Sequence, residues 1–141
     1  MPDLTDHGPN PYVIDIEGAT VENTNFRATL WTGSHLQLTV MSIPPGGDIG
    51  LEVHGDTDQF LRVERGSGRV QMGPAQSELT FTEDVEADWA VFVPAGTWHN
   101  ITNTGTGDLR LYTLYGPPDH RPGTLHATQH DAQDDPHEHD H

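Results

Sequence analysis

From position 12 onward, apolar residues recur at alternate positions in short runs, separated by clusters of Gly, Pro, Asn and Asp. A period of two places successive side chains on opposite faces of a strand, so the pattern predicts strands over 12–16, 27–31, 36–43, 49–54, 59–64, 69–72, 79–81, 90–93, 99–102 and 109–115. Within 36–43, Leu36, Leu38 and Val40 share one face and His35, Gln37 and Thr39 the other, which predicts a half-buried strand with its leucines toward the core. Pro44-Pro45-Gly46-Gly47 and Gly66-Ser67-Gly68 read as turns between strands. Residues 19–25 are expected to form one helical turn, and no amphipathic pattern runs longer than two turns. The expected organisation is an N-terminal arm over 1–11, an all-β sandwich or barrel over 12–116, an extension over 117–130 that packs on it, and a disordered Asp/His-rich tail over 131–141.

Composition narrows the partners. A chain of 141 residues supports one ordinary core. With 22 acidic residues against 6 basic ones, the formal charge of -16 repels phosphate backbones and anionic membrane surfaces, so neither nucleic acid nor membrane is an expected partner. All six basic residues are arginine, a bias read as adaptation to salt or as the mark of a GC-rich genome. The absence of cysteine removes disulfides, thiolate metal sites and thiol nucleophiles, leaving oxygen and imidazole as metal donors. No basic segment followed by an apolar run opens the chain, so a cytoplasmic location is expected.

The candidate chemistry lies in the middle of the chain. Glu52 and His54 stand two apart in an expected strand, which aims both side chains at the same face while Leu51 and Val53 pack on the other. Gln59 opens the next strand after a short turn, so hairpin pairing brings its amide oxygen near His54; Asp58, one residue earlier, is the competing oxygen donor. His99 follows the tight turn Pro94-Ala95-Gly96. Two imidazoles, a carboxylate and an amide oxygen suit one divalent ion of the Fe, Mn, Ni, Co or Zn group.

These spacings resemble the two motifs of the cupin superfamily. The first runs glycine, five residues, HxH, three or four residues, glutamate, six residues, glycine; here the positions hold Gly46, Glu52, His54, Gln59 and Gly66. The second runs glycine, five residues, PxG, two residues, histidine, three residues, asparagine; here Asp88 takes the glycine position and Pro94, Gly96, His99 and Asn103 match. The resemblance implies a double-stranded β-helix (jelly-roll) barrel with the metal inside it, and a homodimer. The usual ligand set of three histidines and a glutamate is altered, with Glu52 at the first histidine position and Gln59 at the glutamate position.

Such a site implies a metal-dependent enzyme on a small organic molecule. The dioxygenase type leads, because two histidines and a carboxylate resemble the facial triad of non-haem iron oxygenases. A sugar isomerase, epimerase or lyase, or a non-catalytic carbohydrate-binding cupin, stands as the alternative. Tyr112, Arg62 and His35, with Tyr115, are candidates for proton transfer or substrate anchoring beside the ion. Trp89, Trp98, Phe60 and Phe92 are expected in the core or an interface, and Asn103 is expected to brace the loop after His99. His126, His130, His137, His139 and His141 lie among aspartates and offer loose metal contacts from a solvated tail.

Overall fold

The computed structural model describes residues 3–135. Nine strands, β1 Arg27–Thr32, β2 Gln37–Ile43, β3 Asp58–Arg65, β4 Ser67–Gly73, β5 Phe81–Glu86, β6 Ala90–Val93, β7 Trp98–Asn103, β8 Leu109–Gly116 and β9 Leu125–His126, are joined by two short helices, α1 Ile16–Glu22 and α2 Gln129–Asp134. All the strand pairs are antiparallel, in a six-stranded sheet of order β6-β3-β8-β2-β1-β9 and a three-stranded sheet of order β5-β4-β7. This is the all-β jelly-roll barrel that the family resemblance implied, assembled from the short strands that the alternation predicts. No helix among the described residues is long and apolar enough to cross a membrane.

The six-stranded sheet carries an apolar core on each face. Met41, Ile43, Leu61, Val63, Leu109 and Leu111 point into the barrel, where they meet Val70, Val85 and Ile101 of the smaller sheet. On the outer face, Ala28, Leu30, Leu38 and Val40 are covered by Leu4, Ile14, Ile16 and Ala19 of the N-terminal segment. β2 is therefore buried along its whole length. The expected half-buried strand is corrected: Leu36 is exposed, Leu38 and Val40 face outward under the N-terminal segment, and Gln37 shares the inward alternation of Met41 and Ile43.

Several other boundaries differ from the pattern. Residues 12–16 form no strand, because the Asp15 side chain accepts from the Gly18 amide and starts α1 three residues before the expected helical turn. Residues 49–54 form no continuous strand either. Gly50, at φ +91°, breaks them into a segment that bridges β7 only at Asp48 and Glu52. The strand expected at 79–81 instead begins at Phe81 and continues through the charged run to Glu86 as a sheet edge.

The C-terminal region is folded further than composition suggests. β9 pairs with β1, and the Thr128 and Asp131 side chains form a reciprocal capping box that starts α2. Ala132 of that helix is buried in the barrel core, so residues 131–134, expected in a disordered tail, are helical. His137, His139 and His141 lie outside the described residues.

If both faces of β2 are cores, Leu38→Ala and Met41→Ala should each destabilise the protein by about 2–4 kcal/mol in urea unfolding, although the two side chains point in opposite directions. A near-neutral Leu38→Ala would mean that the N-terminal segment does not seal the outer face.

Candidate metal centre

The site begins with one backbone pairing. Glu52 and His99 are directly opposed, the Glu52 amide donating to the His99 carbonyl at 3.1 Å and the His99 amide to the Glu52 carbonyl at 2.9 Å. Opposed residues of a hydrogen-bonded antiparallel pair have Cα atoms about 5.5 Å apart and project to the same side. His54 is two residues beyond Glu52, and its carbonyl accepts from the Gly96 amide at 2.8 Å, tying it to the turn that precedes His99.

The side chains converge as the backbone dictates. Glu52 Oε1 lies 3.4 Å from His54 Nε2 and 3.6 Å from His99 Nε2, and the two imidazole centroids are 5.2 Å apart. Two donors each about 2.1 Å from a common ion stand about 3.0 Å apart at a right angle and about 3.4 Å apart at a tetrahedral angle. The observed separations fit such an ion, and Glu52, His54 and His99 are the metal-competent cluster among the described residues.

The far nitrogens of both rings are occupied. His99 Nδ1 is 3.0 Å from the Thr97 carbonyl, which accepts only if Nδ1 carries the proton, leaving Nε2 as a lone-pair donor toward Glu52. His54 Nδ1 is 3.1 Å from Asp119 Oδ1, a carboxylate that the sequence reading did not single out. Asp119 is itself positioned by Gln37, whose Oε1 accepts the amides of Asp119 and His120 at 3.1 and 2.9 Å while its Nε2 donates to the His120 carbonyl at 2.8 Å. A carboxylate behind an imidazole fixes its tautomer and raises its basicity, as in the outer shell of many metal sites.

Gln59 occupies the inward face of β3 and is buried. Its Nε2 donates to Thr113 Oγ1 at 3.0 Å, and its Oε1 has no hydrogen-bond partner among the described residues. A buried carbonyl oxygen left without a donor is costly and is suited to accept from a ligand or an ion. Asp58 is exposed and accepts the Ala95 amide at 2.9 Å, so it caps the turn before His99 rather than joining the cluster. Tyr115 does reach the site, edge-on to His54 at 5.8 Å with its hydroxyl 3.1 Å from His120 Nε2.

The other three candidates for proton transfer or substrate anchoring, Arg62, Tyr112 and His35, do not. Arg62 and Tyr112 alternate to the outer face, where Arg62 contacts Glu64 and Asp88 and Tyr112 packs against the outer core. His35 is exposed in the loop before β2. Among the aromatics, Phe60 stacks edge-on against Phe92 at 5.1 Å, and Trp89 and Phe92 are exposed. Leu51, expected to pack behind Glu52, is exposed as well.

Asn103 does brace the loop: its Nδ2 donates to the Ile43 and Gly107 carbonyls, both at 2.8 Å, and its Oδ1 accepts from the Gly105 amide. Asp88 adopts φ 76° where the motif has glycine, the left-handed conformation that aspartate tolerates better than most residues.

Glu52 also lines a cavity of about 570 Å³, with Phe26, Arg27, Leu51, Trp98 and, from α2, Gln129 and Gln133 among the other lining residues. Burial alone would raise the Glu52 carboxyl, but the imidazoles of His54 and His99, with Arg27 nearby, hold it well below the usual range. Burial would likewise depress His54, but Asp119 and Glu52 outweigh it and raise the imidazole to about 9.

Comparison with known proteins agrees with the fold and the spacing. The family model described as Cupin domain matches residues 39–115. The uncharacterized protein YrkC of Bacillus subtilis (strain 168) is 53% identical over 129 residues, covering 92% of this chain and 69% of its own length. The uncharacterized protein L612 of Acanthamoeba polyphaga mimivirus is 38% identical over 116 residues, covering 81% of this chain and 70% of its own. Among solved structures, BH2720 from Bacillus halodurans superposes with a TM-score of 0.90 at 56% identity, covering 92% of this chain and 98% of that one.

The shifted histidine gives a pH signature. In the metal-free protein the His54 interactions contribute stability that is complete below its ordinary value of 6.5 and is lost as pH rises through about 9. An ion needs the neutral imidazole, so its own contribution grows over the same interval. Thermal midpoints should therefore fall between pH 6.5 and 9 in stripped protein, with the gap to zinc-loaded protein widening across that window; a gap independent of pH would show that His54 does not exchange a proton for the ion.

Proposed function

We propose, from the premise that the chain belongs to the cupin family, that it is a metal-dependent enzyme of dioxygenase type acting on a small organic molecule. One divalent ion of the Fe, Mn, Ni, Co or Zn group is held by Glu52, His54 and His99, with Gln59 Oε1 as the fourth donor. The observation that carries this reading is the convergence of three donor atoms whose supporting nitrogens are already engaged, by Asp119 for His54 and by the Thr97 carbonyl for His99. When bound, such an ion supplies Lewis acidity and, if redox-active, the electrons that dioxygen chemistry requires.

The chain's own residues divide the work around it. Asp119 and Thr97 orient the imidazoles, Thr113 turns the Gln59 amide so that its oxygen remains available, and Glu52 forms the boundary between the cluster and the cavity. The buried pair of Tyr115 and His120 next to His54 can hold or pass a proton. A second reading, a sugar isomerase, epimerase or lyase or a non-catalytic carbohydrate-binding cupin, draws on the amide side chains of Gln76, Gln129 and Gln133 in the cavity wall, which suit hydroxyl groups.

Elemental analysis of tag-free protein should find one ion per chain, lost in His54→Ala or His99→Ala; protein without an ion would remove the metal reading. Asp119→Asn should keep the fold and weaken metal affinity by about 10–100-fold in chelator competition. Nitric oxide added to iron(II)-loaded protein should give the electron-paramagnetic signal of an open iron position. Its absence, with a bound ion, favours the isomerase or binding reading. The protein also reads as a homodimer, because Phe81, Trp89 and Phe92 are exposed at 49%, 50% and 70% where a second copy would cover them. Light scattering should then give twice the chain mass, and Phe92→Asp should shift it toward the monomer.

A further inference from the structure

We propose that Asp6, on the N-terminal arm, is a positioning residue for the metal centre, acting through Thr32 and Gln37 on the Asp119 carboxylate that faces His54. The inference rests on the functional reading above for the ion and adds to it a residue that is not among the ligands.

The contacts form one continuous line. Thr32 and Gln37 are directly opposed on β1 and β2, which sets their side chains next to each other. Asp6 Oδ2 accepts from the Thr32 hydroxyl at 2.6 Å, and Thr32 Oγ1 accepts in turn from Gln37 Nε2 at 3.0 Å. The other Nε2 hydrogen of Gln37 goes to the His120 carbonyl, and its Oε1 takes the Asp119 and His120 amides. Asp119 Oδ1 then lies 3.1 Å from His54 Nδ1. Asp6 also reaches the loop beyond Asp119. Its Oδ2 accepts from the Gly123 amide at 3.1 Å, while its Oδ1 accepts from the Gly8 amide at 2.9 Å, which fixes the carboxylate to its own segment. The loop that carries Asp119 is therefore pinned at 119–120 by Gln37 and at 123 by Asp6.

The chemistry of the donors decides which way the line runs. An ionised carboxylate only accepts, a hydroxyl both donates and accepts, and a primary amide has a donor end and an acceptor end. Burial alone would raise the Asp6 carboxyl, but the Thr32 hydroxyl and the Gly8 and Gly123 amides hold it below its ordinary value, so it is an acceptor at neutral pH. Thr32 directs its one hydroxyl hydrogen to Asp6 and offers Gln37 only lone pairs. That turns the amide nitrogen of Gln37 toward Thr32 and its oxygen toward the Asp119 and His120 amides. With the amide reversed, its nitrogen would meet those two amides donor to donor and its oxygen would face the His120 carbonyl. Gln37 is fully buried, so a reversed amide would carry the desolvation cost of every group left unpaired. Asp6 is the acceptor-only end that sets the polarity of the line.

Zinc affinity of the full chain, read in chelator competition, tests the line at its middle. Thr32→Val removes the hydroxyl with little change of shape and should weaken zinc by about threefold to tenfold, a smaller loss than the about 10–100-fold expected when a partner in direct contact with a ligand is removed. Asp6→Asn, which puts a donor where an acceptor stood, should act in the same direction, and Thr32→Ser, which keeps the hydroxyl, should stay close to wild type. In an Asp119→Asn background Thr32→Val should add nothing to the loss, because both act through one carboxylate. Amide hydrogen exchange in metal-free protein gives a second readout. Asp119 and His120 should exchange about tenfold faster in Thr32→Val, while the β2–β8 ladder, which reports global unfolding, changes less. Uniform acceleration, unchanged zinc affinity, or a loss that adds to that of Asp119→Asn assigns the contacts to stability alone and overturns the proposal. Should Asp6→Asn not fold, the threonine series decides. Wild type that takes up no zinc overturns the metal reading, and the exchange pattern then supports or overturns the hold on Asp119 by itself; zinc bound with neither readout moved overturns the positioning alone.

Discussion

The opposition of Glu52 and His99 is the constraint on which the site depends. Their two backbone hydrogen bonds place a carboxylate and an imidazole side by side from segments 47 residues apart in sequence, since 99 minus 52 is 47. A one-residue slip in that pairing would turn His99 to the other face. The register is held from both ends. Asp48 bridges Thr102 and the Asn103 amide donates to the Gly47 carbonyl on one side, while the Gly96 amide holds the His54 carbonyl on the other. Between them Gly50 lets the chain leave strand geometry and return, so Glu52 meets β7 without a continuous ladder behind it.

A second constraint reaches the same imidazoles from behind. Gln37 is buried on β2 and closes three hydrogen bonds on the peptide groups of Asp119 and His120, which fixes the carboxylate that faces His54 Nδ1. Because β2 lies at the centre of the six-stranded sheet and is sealed on both faces, the loop after β8 inherits the rigidity of the core. The covering of the outer face by the N-terminal segment is thus linked to metal-site geometry: it holds β2, β2 holds Gln37, and Gln37 holds Asp119.

The legibility of the sequence follows the range of the interactions. The convergence of Glu52, His54 and His99 is legible because strand alternation and tight turns are local, and motif spacing carries the one long step. Gln59 stands out by the same spacing, and what the structure adds is that its amide oxygen is buried without a hydrogen-bond partner among the described residues. Asp119 was not legible. Asp119 sits in the Pro-rich extension expected to pack on the barrel, and its role depends on a glutamine 82 residues away, 119 minus 37, that alternation alone assigns to no partner. The signal for α2 was present: Thr128 followed three residues later by Asp131 is a capping-box pattern, masked by a composition that reads as disorder. The strand Phe81–Glu86 was hidden because an edge strand need bury only one side chain, here Val85.

Net charge and site charge answer different questions. A total of -16 keeps the whole molecule away from polyanions, whose many phosphates sum the repulsion over a long reach. At physiological ionic strength that reach is cut to about 8 Å, so a small ligand already at the cavity mouth responds mainly to the groups that line it. There the carboxylates of Glu52 and Asp119 face His54 from opposite sides, and Arg27 adds a positive charge beyond Glu52. In the absence of an ion the two carboxylates keep the proton on His54, and an ion at the proposed centre would take that proton's place. An ion at the proposed centre would therefore make the wall around Glu52 more positive while the surface of the protein remains acidic.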